Sequence, residues 1–188
     1  MHLLPPHSQL QCSRCFPAQS TCWGQSHEFN GGWRLENTPA AYGSQNPVVL
    51  MLGFSGGHNQ SYTVASNFND RPFRGMRPRI TQILQKFGLL GLNERVDDRI
   101  NENERDFAFG SILRCSISKW DDGKQDWAKS GAVISNLSKD WRAQQFLSNC
   151  VEQFLKHVPS RLRLVILLSN DLSYTRMCRT VIQKTIPM

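Results

Sequence analysis

The chain contains six cysteines, and two of them form the motif Cys12-Ser-Arg-Cys15. This CxxC spacing lets two thiolates point at one metal ion or cluster. A complete site needs two more ligands, and no second CxxC occurs in the sequence. Cys115 and Cys150 would complete the site only if the fold brings them together. Cys178 is expected to be a small buried hydrophobe.

A glycine-rich segment, Gly53-Phe-Ser55-Gly-Gly57, directly follows a short apolar run. It matches the GxSxG pattern of a nucleophile elbow, in which Ser55 would attack an acyl group. That elbow must turn straight into a helix, whereas the polar residues 58–76 follow here. No Lys-Ser/Thr pair follows the glycines either, as a phosphate-binding P-loop requires. A serine hydrolase is therefore the weaker interpretation, and a glycine-rich turn without chemistry is the simpler one.

Apolar runs and stripes predict which elements position these residues. Runs at 47–52, 107–115 and 162–168 are typical of buried strands, and apolar stripes at 77–90, 140–158 and 172–184 are typical of helices. Strands that alternate with helices predict an α/β fold, a three-layer α/β/α arrangement around a mostly parallel sheet. Ligands of such sheets bind beyond the carboxyl ends of the strands, which here are followed by the loops 53–60, 111–118 and 169–174.

Two segments lack such periodicity. Residues 1–46 are rich in Pro, Gly, Ser, Gln and Asn and are expected to form an irregular arm that carries the CxxC. Residues 118–140 are polar and are expected to form a long loop or insertion. Residues 47–188 form the α/β domain in this interpretation, and arm and domain make one structural unit.

Charge and composition indicate the class of partner. The 188 residues carry 22 basic and 15 acidic side chains, a formal net charge of +7. This excess favours a polyanionic partner, with nucleic acid first. No apolar run approaches the roughly 18 residues of a membrane span, and no secretion signal is evident at the start, so we expect a cytoplasmic protein without a membrane partner. No protein partner is predicted.

Taken in order, the motifs resemble the uracil-DNA glycosylase superfamily, in particular its iron–sulfur class. That class contains a CxxC, a strand ending in GEAPG, a PFxG loop, a strand ending in N-x-x-K-C, a further cysteine and a strand ending in LG. The matching segments lie between residues 12 and 170: Cys12-Ser-Arg-Cys15, 48–57, Arg71-Pro-Phe73-Arg-Gly75, 109–115, Cys150 and the strand 162–168.

The resemblance implies a role for each matching position. Cys12, Cys15, Cys115 and Cys150 would ligate a [4Fe–4S] cluster, with zinc as the alternative metal. The loop of Gly53, Phe54, Ser55 and Gly57 would lie beside the sugar. Phe73 would stack on a base flipped out of the DNA, since an aromatic face suits any base.

Three departures from the family pattern change what the resemblance implies. Phe54 stands where the family has the carboxylate that activates water, and Asp70, Asn59 and His58 are the nearest polar substitutes. Ser111 stands where the family has the uracil-reading Asn, and one hydroxyl cannot make the paired contacts of an amide. The sequence ends at Met188, before the family's His-Pro-Ser segment, so those roles are expected to be filled beyond it or by other groups.

Together these features predict a DNA glycosylase that flips a damaged or modified base and hydrolyses its N-glycosidic bond. Because both uracil-specific groups are replaced, a modified base is favoured over uracil, and the removal of modified bases from foreign DNA such as phage DNA is one role consistent with this. Asp70 would stabilise the oxocarbenium-like centre, or would merely cap the turn before Arg71-Pro72. The alternative is a non-catalytic nucleic-acid-binding module with a degenerate glycosylase fold.

Overall fold

A computed structural model of the chain describes residues 2–17, 22–56, 67–128, 131–137, 139–169 and 171–185. Within these ranges the chain forms nine strands in two sheets and four α-helices. The strands are β1 (Ser8–Gln9), β2 (Ser26–Phe29), β3 (Trp33–Glu36), β4 (Ala40–Gly43), β5 (Val49–Ser55), β6 (Phe107–Leu113), β7 (Ser116–Asp121), β8 (Asp126–Ala128) and β9 (Leu164–Leu167). The helices are α1 (Arg77–Lys86), α2 (Gly131–Leu137), α3 (Trp141–Leu155) and α4 (Leu172–Thr185), and short 3-10 turns cover Phe68–Asp70 and Val96–Arg99.

The larger sheet has five strands in the order β1-β4-β6-β5-β9. β6 lies at its centre, and β5 pairs in parallel with β6 on one side and with β9 on the other. β4 pairs antiparallel with both β6 and β1. The predicted α/β class is confirmed, and the parallel part of the sheet consists of the three strands that the apolar runs indicated.

Helices cover both faces of this sheet. Leu50 and Leu52 of β5 belong to the apolar cluster that includes side chains of α3 and α4, whereas Val49 and Met51 belong to the cluster that includes α1. A strand that is buried on both faces needs apolar residues at every position, because successive side chains point to opposite faces. This is why β5 is a continuous apolar run.

The helix boundaries follow from local signals. Asp140 caps α3, since its carboxylate accepts the backbone N–H of Arg142. The glycines of the sequence predict that α1 stops near Gly88 or Gly91, and α1 ends at Lys86, where Gly88 takes a positive φ of 67° that closes the last turn.

The segment 1–46 is not irregular, which corrects the sequence-based expectation. It contributes β1 and β4 to the larger sheet, and β2 and β3 form a hairpin that pairs with β7 and β8 in a second sheet. The turn between β2 and β3 contains Gly31 and Gly32, both with positive φ. Asn30-Gly31-Gly32 is a recognised hairpin signal that the composition of the arm obscured.

The segment 118–140 also differs from the predicted loop. β7 and β8 form a hairpin in which Trp120 lies opposite Trp127, with ring centroids 5.4 Å apart, and α2 follows. Such a cross-strand aromatic pair stabilises a short hairpin. In the described part of the chain, no helix is both long and apolar enough to cross a membrane.

Candidate functional site

A pocket lies where β5 and β6 end, with Gly56 and Ser111 in its wall. Its empty volume is about 470 Å³, including the mouth that opens to solvent. The position agrees with the rule that ligands bind beyond the carboxyl ends of parallel strands. The loop after β5 and the end of β6, both predicted to face one crevice, therefore meet here.

Three of the predicted base-binding residues come together at this pocket. Phe73 and Ser111 line it, and Gly53 lies directly beneath them. A Cβ atom on Gly53 would stand 3.3 Å from Cε1 of Phe73 and 3.8 Å from Oγ of Ser111. Glycine is therefore the residue that lets the Phe73 ring lie close to β5.

Phe73 is held in an unusual backbone conformation. Its φ is +55°, in the left-handed region that side chains other than Gly seldom adopt. The ring is 4 % exposed and packs edge-on against Phe109 at a centroid distance of 6.2 Å. Strain of this kind persists only where the surroundings determine the conformation, and it is frequent at binding sites.

Two further aromatic residues line the pocket, Trp23 and Tyr42. The Trp23 indole N–H donates to the carbonyl of Pro39 at 3.3 Å. Burial raises the pKa of Tyr42 to about 12, so its hydroxyl is neutral at physiological pH. The pocket thus offers three aromatic rings together with the hydroxyls of Thr38, Ser111 and Ser116.

Two arginines complete the wall. Arg71 is 3 % exposed and its guanidinium lies 5.1 Å from the ring centroid of Trp23. Arg114 is 4 % exposed, and its Nη1 donates to the carbonyl of Ala40 at 3.1 Å. Burial lowers the pKa of Arg114 to about 10, which leaves it a cation at neutral pH. No Asp or Glu of the described residues lines the pocket.

The other predicted site residues lie elsewhere or outside the described chain. Phe54 does not line the pocket but packs edge-on against Tyr174 of α4, with centroids 5.4 Å apart. Ser55 lies opposite Leu113 in the sheet and is also absent from the pocket wall. Asp70 is exposed in the 3-10 turn that leads into Arg71. Gly57, His58 and Asn59 lie outside the described residues.

The four cysteines that the resemblance selected lie in one region. Cys115 and Cys150 are buried in the apolar cluster that contains α3, and Cys12 and Cys15 pack against it. Burial, together with a smaller effect of the Cys15 and Cys12 thiols, raises the pKa of Cys150 to about 12. Burial likewise raises the pKa of Cys115, with contributions from the other three thiols. The four thiols therefore interact electrostatically with one another.

Contacts between the N-terminal arm and α3 place the CxxC in this region. Arg14 forms an ion pair with Glu152 at 2.5 Å. The side-chain amide of Asn149 donates to the Cys15 thiol at 3.4 Å. Cys178 instead lies beside Tyr174, and Cys22 is exposed. Among the described residues, no group of three or more His, Cys, Asp or Glu side chains is arranged so that it could hold a metal ion.

Sequence reasoning did not select the aromatic and charged wall residues Trp23, Tyr42, Arg71 and Arg114. Tyr42 reaches the pocket through β4, and Trp23 lies in the turn just before β2. Neither strand was predicted.

Comparison with known proteins identifies no relative: no family model, no curated protein and no solved structure matches the chain.

Proposed function

We propose that the chain is a DNA glycosylase-like protein related to the iron–sulfur class of the uracil-DNA glycosylase superfamily. The observation that carries this proposal is the meeting of Gly53, Phe73 and Ser111 at one pocket beyond the parallel strands. The order of the motifs in the sequence alone predicts these three positions. A damaged or modified base, flipped out of the duplex, would enter this pocket and stack on Phe73.

Asp70 is the candidate group for the hydrolysis itself. With the base inside the pocket, the sugar lies outside its mouth, and a group that acts on the sugar must be exposed there. Asp70 is exposed and immediately precedes three wall residues, Arg71, Pro72 and Phe73. Its carboxylate would stabilise positive charge at the sugar and orient a water molecule. The net charge of +7 would hold the phosphates of DNA.

The cysteine region would hold the metal centre, a [4Fe–4S] cluster with zinc as the alternative. Four thiols that interact with one another provide the donor number and type that such centres use. Cys12 and Cys15 belong to the arm, and Cys115 and Cys150 belong to the α/β domain, so a metal bound by all four would fasten the arm to the sheet. In this proposal the protein acts on DNA in the cytoplasm, and phage DNA is a candidate source of the base.

A second candidate function is a non-catalytic nucleic-acid-binding module. The observation that favours it is the lack of any carboxylate in the described pocket wall. Such a protein would bind a flipped base without cleaving the bond to the sugar.

An abasic-site assay distinguishes the two functions. DNA duplexes that carry uracil, hypoxanthine, hydroxymethylcytosine or glucosylated hydroxymethylcytosine are incubated with the protein and then treated with alkali. Strand scission at the modified base supports the glycosylase, and no scission on any duplex favours the binding module. Asp70→Asn should slow scission while leaving DNA binding intact, whereas Asp122→Asn, at an exposed position in the β7–β8 turn, should change neither. Full turnover by Asp70→Asn would move the catalytic role to His58 or Asn59.

A further inference from the structure

Buried charge in this protein is concentrated at the pocket. Arg71 and Arg114, 3 % and 4 % exposed, are the only charged residues of the described chain that are buried as whole residues. Both line the same pocket, and no described carboxylate lines it with them. The pocket wall therefore carries two buried guanidinium groups and, among the described residues, no carboxylate.

No described carboxylate neutralises the charge of Arg114. Its Nη1 donates to one backbone carbonyl, that of Ala40, and its Nε is buried without a hydrogen-bond partner. None of the described carboxylates forms an ion pair with it. Burying a cation in this way is unfavourable unless an anion accompanies it.

The geometry of the wall restricts the chemistry of that anion. A guanidinium is a planar fork that matches a carboxylate through two parallel hydrogen bonds. The rings of Trp23, Tyr42 and Phe73 provide flat faces, and the hydroxyl of Ser111 can donate one hydrogen bond. A flat ring that carries a carboxylate satisfies all of these groups. An amino group at the same place would point its N–H donors at the N–H donors of the arginines, so no hydrogen bond would form between them.

We propose that this pocket selects a base carrying an anionic substituent, a carboxylate, through Arg71 and Arg114. The identity of the ligand as a base rests on the proposed function, whereas the preference for an anionic ring rests on the wall alone. This preference also gives a physical reason for Ser111, which stands where the family recognises uracil with an Asn side chain. Here the two arginines would recognise the substituent, so the amide is not needed.

The two arginines differ in their surroundings, which helps the test. Arg114 directly precedes Cys115, so replacing it also affects the cysteine region. Arg71 lies in the turn before Phe73, and neither it nor its chain neighbours belong to the apolar cluster of the cysteine region. Loss of selectivity on replacing Arg71 is therefore an effect on the pocket.

Isothermal titration calorimetry with two free bases tests the proposal. 5-Carboxyuracil and thymine share a ring, and they differ in a carboxylate against a methyl group. We expect the wild-type protein to bind 5-carboxyuracil at least roughly tenfold more tightly, the ratio that about 1.4 kcal/mol produces. Arg71→Gln and Arg114→Gln should each abolish most of that ratio. Arg34→Gln, which removes an equal charge from the second sheet where Arg34 stacks on Trp127, should preserve it.

Equal affinities of the wild-type protein for both bases, or no binding of 5-carboxyuracil, would overturn the proposal. A ratio that survives in Arg71→Gln would overturn it too, even if Arg114→Gln failed to fold. Cleavage is measured separately on duplexes with 5-carboxycytosine or 5-methylcytosine. Selective binding of the free base without scission would reject the glycosylase and keep the anionic preference. Scission of other modified bases without that selectivity would keep the glycosylase and reject the anionic preference.

Discussion

The guanidinium of Arg114 lines the pocket and donates to the carbonyl of Ala40 at 3.1 Å, and Arg114 directly precedes Cys115, which is buried in the cysteine region. One residue directly after β6 therefore joins the cysteine region to the candidate binding site. A change in the position of Cys115 would move the backbone of Arg114, and with it the positive wall of the pocket. The proposed metal centre and the proposed ligand are expected to depend on each other for this reason.

The proposed metal centre predicts that removing one of its four cysteine ligands removes the metal. We expect Cys115→Ala and Cys150→Ala, purified anaerobically, to contain little iron, sulfide or zinc, and to unfold at lower denaturant concentration than the wild type. The reason is that the free energy of metal binding is available only to the folded state. Elemental analysis, a sulfide assay and urea unfolding followed by circular dichroism measure these changes.

Cys178→Ala provides the matched control, because Cys178 is equally buried but lies beside Tyr174, away from the four thiols. It should retain the full metal content. Metal loss in Cys178→Ala comparable to that in Cys115→Ala would show that the ligands are assigned wrongly. Bound zinc without iron would keep the cysteine site and reject the iron–sulfur cluster.

The stacking role of Phe73 requires a substitution that preserves the apolar core. Phe73 is 4 % exposed, so Phe73→Ala would combine lost stacking with a core cavity worth about 3–5 kcal/mol. Phe73→Leu keeps most of the volume and removes the aromatic face. We expect it to weaken binding to DNA with a flipped modified base by about 1–3 kcal/mol. Fluorescence anisotropy with labelled duplexes measures this loss.

Binding to an unmodified duplex is the control for Phe73→Leu, because phosphate contacts dominate it and should be unchanged. An equal loss on both duplexes would indicate a general defect in the protein. Unchanged binding to both duplexes would show that Phe73 does not contribute to base binding.

The central elements were predictable because their signals are local. A strand buried on both faces must be apolar throughout, as Val49 to Leu52 are, and the helical stripe of α3 repeats along a single helix. The strands of the arm were missed because each is four residues or shorter, and β3 finds its partner in β7, far along the chain. Pairing over such a distance leaves little trace in composition.

The residues of the candidate site fall into the same two groups, those with a signal in the sequence and those without one. Phe73 and Ser111 were found because they occupy positions in an ordered series of motifs. Arg71 and Arg114 were not, because a charged side chain is ordinarily expected to reach solvent. Arg114 is buried between Ala40 of β4, whose carbonyl accepts from it, and the ring of Phe154 in α3, and β4 was among the unpredicted strands.

The link between Trp33 and Asp140 should make stability depend on pH. The Trp33 indole N–H donates to the Asp140 carboxylate at 2.7 Å, and the backbone N–H of Arg142 donates to it at 2.9 Å. Partial burial raises the pKa of Asp140, but these hydrogen bonds outweigh it and hold the pKa below its ordinary value. We expect Asp140→Ala to lower the free energy of unfolding by about 1–3 kcal/mol, through loss of the helix cap and of the partner of a buried donor.

The sign of the pH dependence follows from the lowered pKa. The contribution of Asp140 is complete above the ordinary carboxyl pKa of about 3.9 and is lost as the pH falls through the lower folded value. The difference between wild type and Asp140→Ala should therefore shrink in acid. Asp140→Asn keeps an oxygen acceptor and a good cap but has no charge, so its stability should lack this dependence. Urea unfolding between neutral and acidic pH measures the effect, and a difference that grows in acid would contradict it.

Gly110 offers a way to displace the Arg114 guanidinium without removing its charge. A Cβ atom at Gly110 would lie 2.0 Å from Nη1 of Arg114, closer than two such atoms can approach. In Gly110→Ala the end of the arginine side chain must therefore move, and the hydrogen bond to Ala40 must break or shift. If the anionic preference depends on the placement of this fork, Gly110→Ala should lose most of the selectivity for 5-carboxyuracil over thymine. Arg114 remains present, so the net charge is unchanged.

Gly123→Ala is the control for this substitution, since its Cβ would meet Asp121 at an ordinary contact distance of 3.4 Å in the β7–β8 turn. It should bind both bases as the wild type does. Metal content is measured in parallel, because the backbone of Arg114 continues into Cys115 while only its side chain meets Gly110. We expect Gly110→Ala to keep its metal and lose its selectivity, which separates the two functions of Arg114. Retained selectivity in Gly110→Ala would mean that positive charge near the pocket, regardless of where the fork lies, is sufficient for the preference.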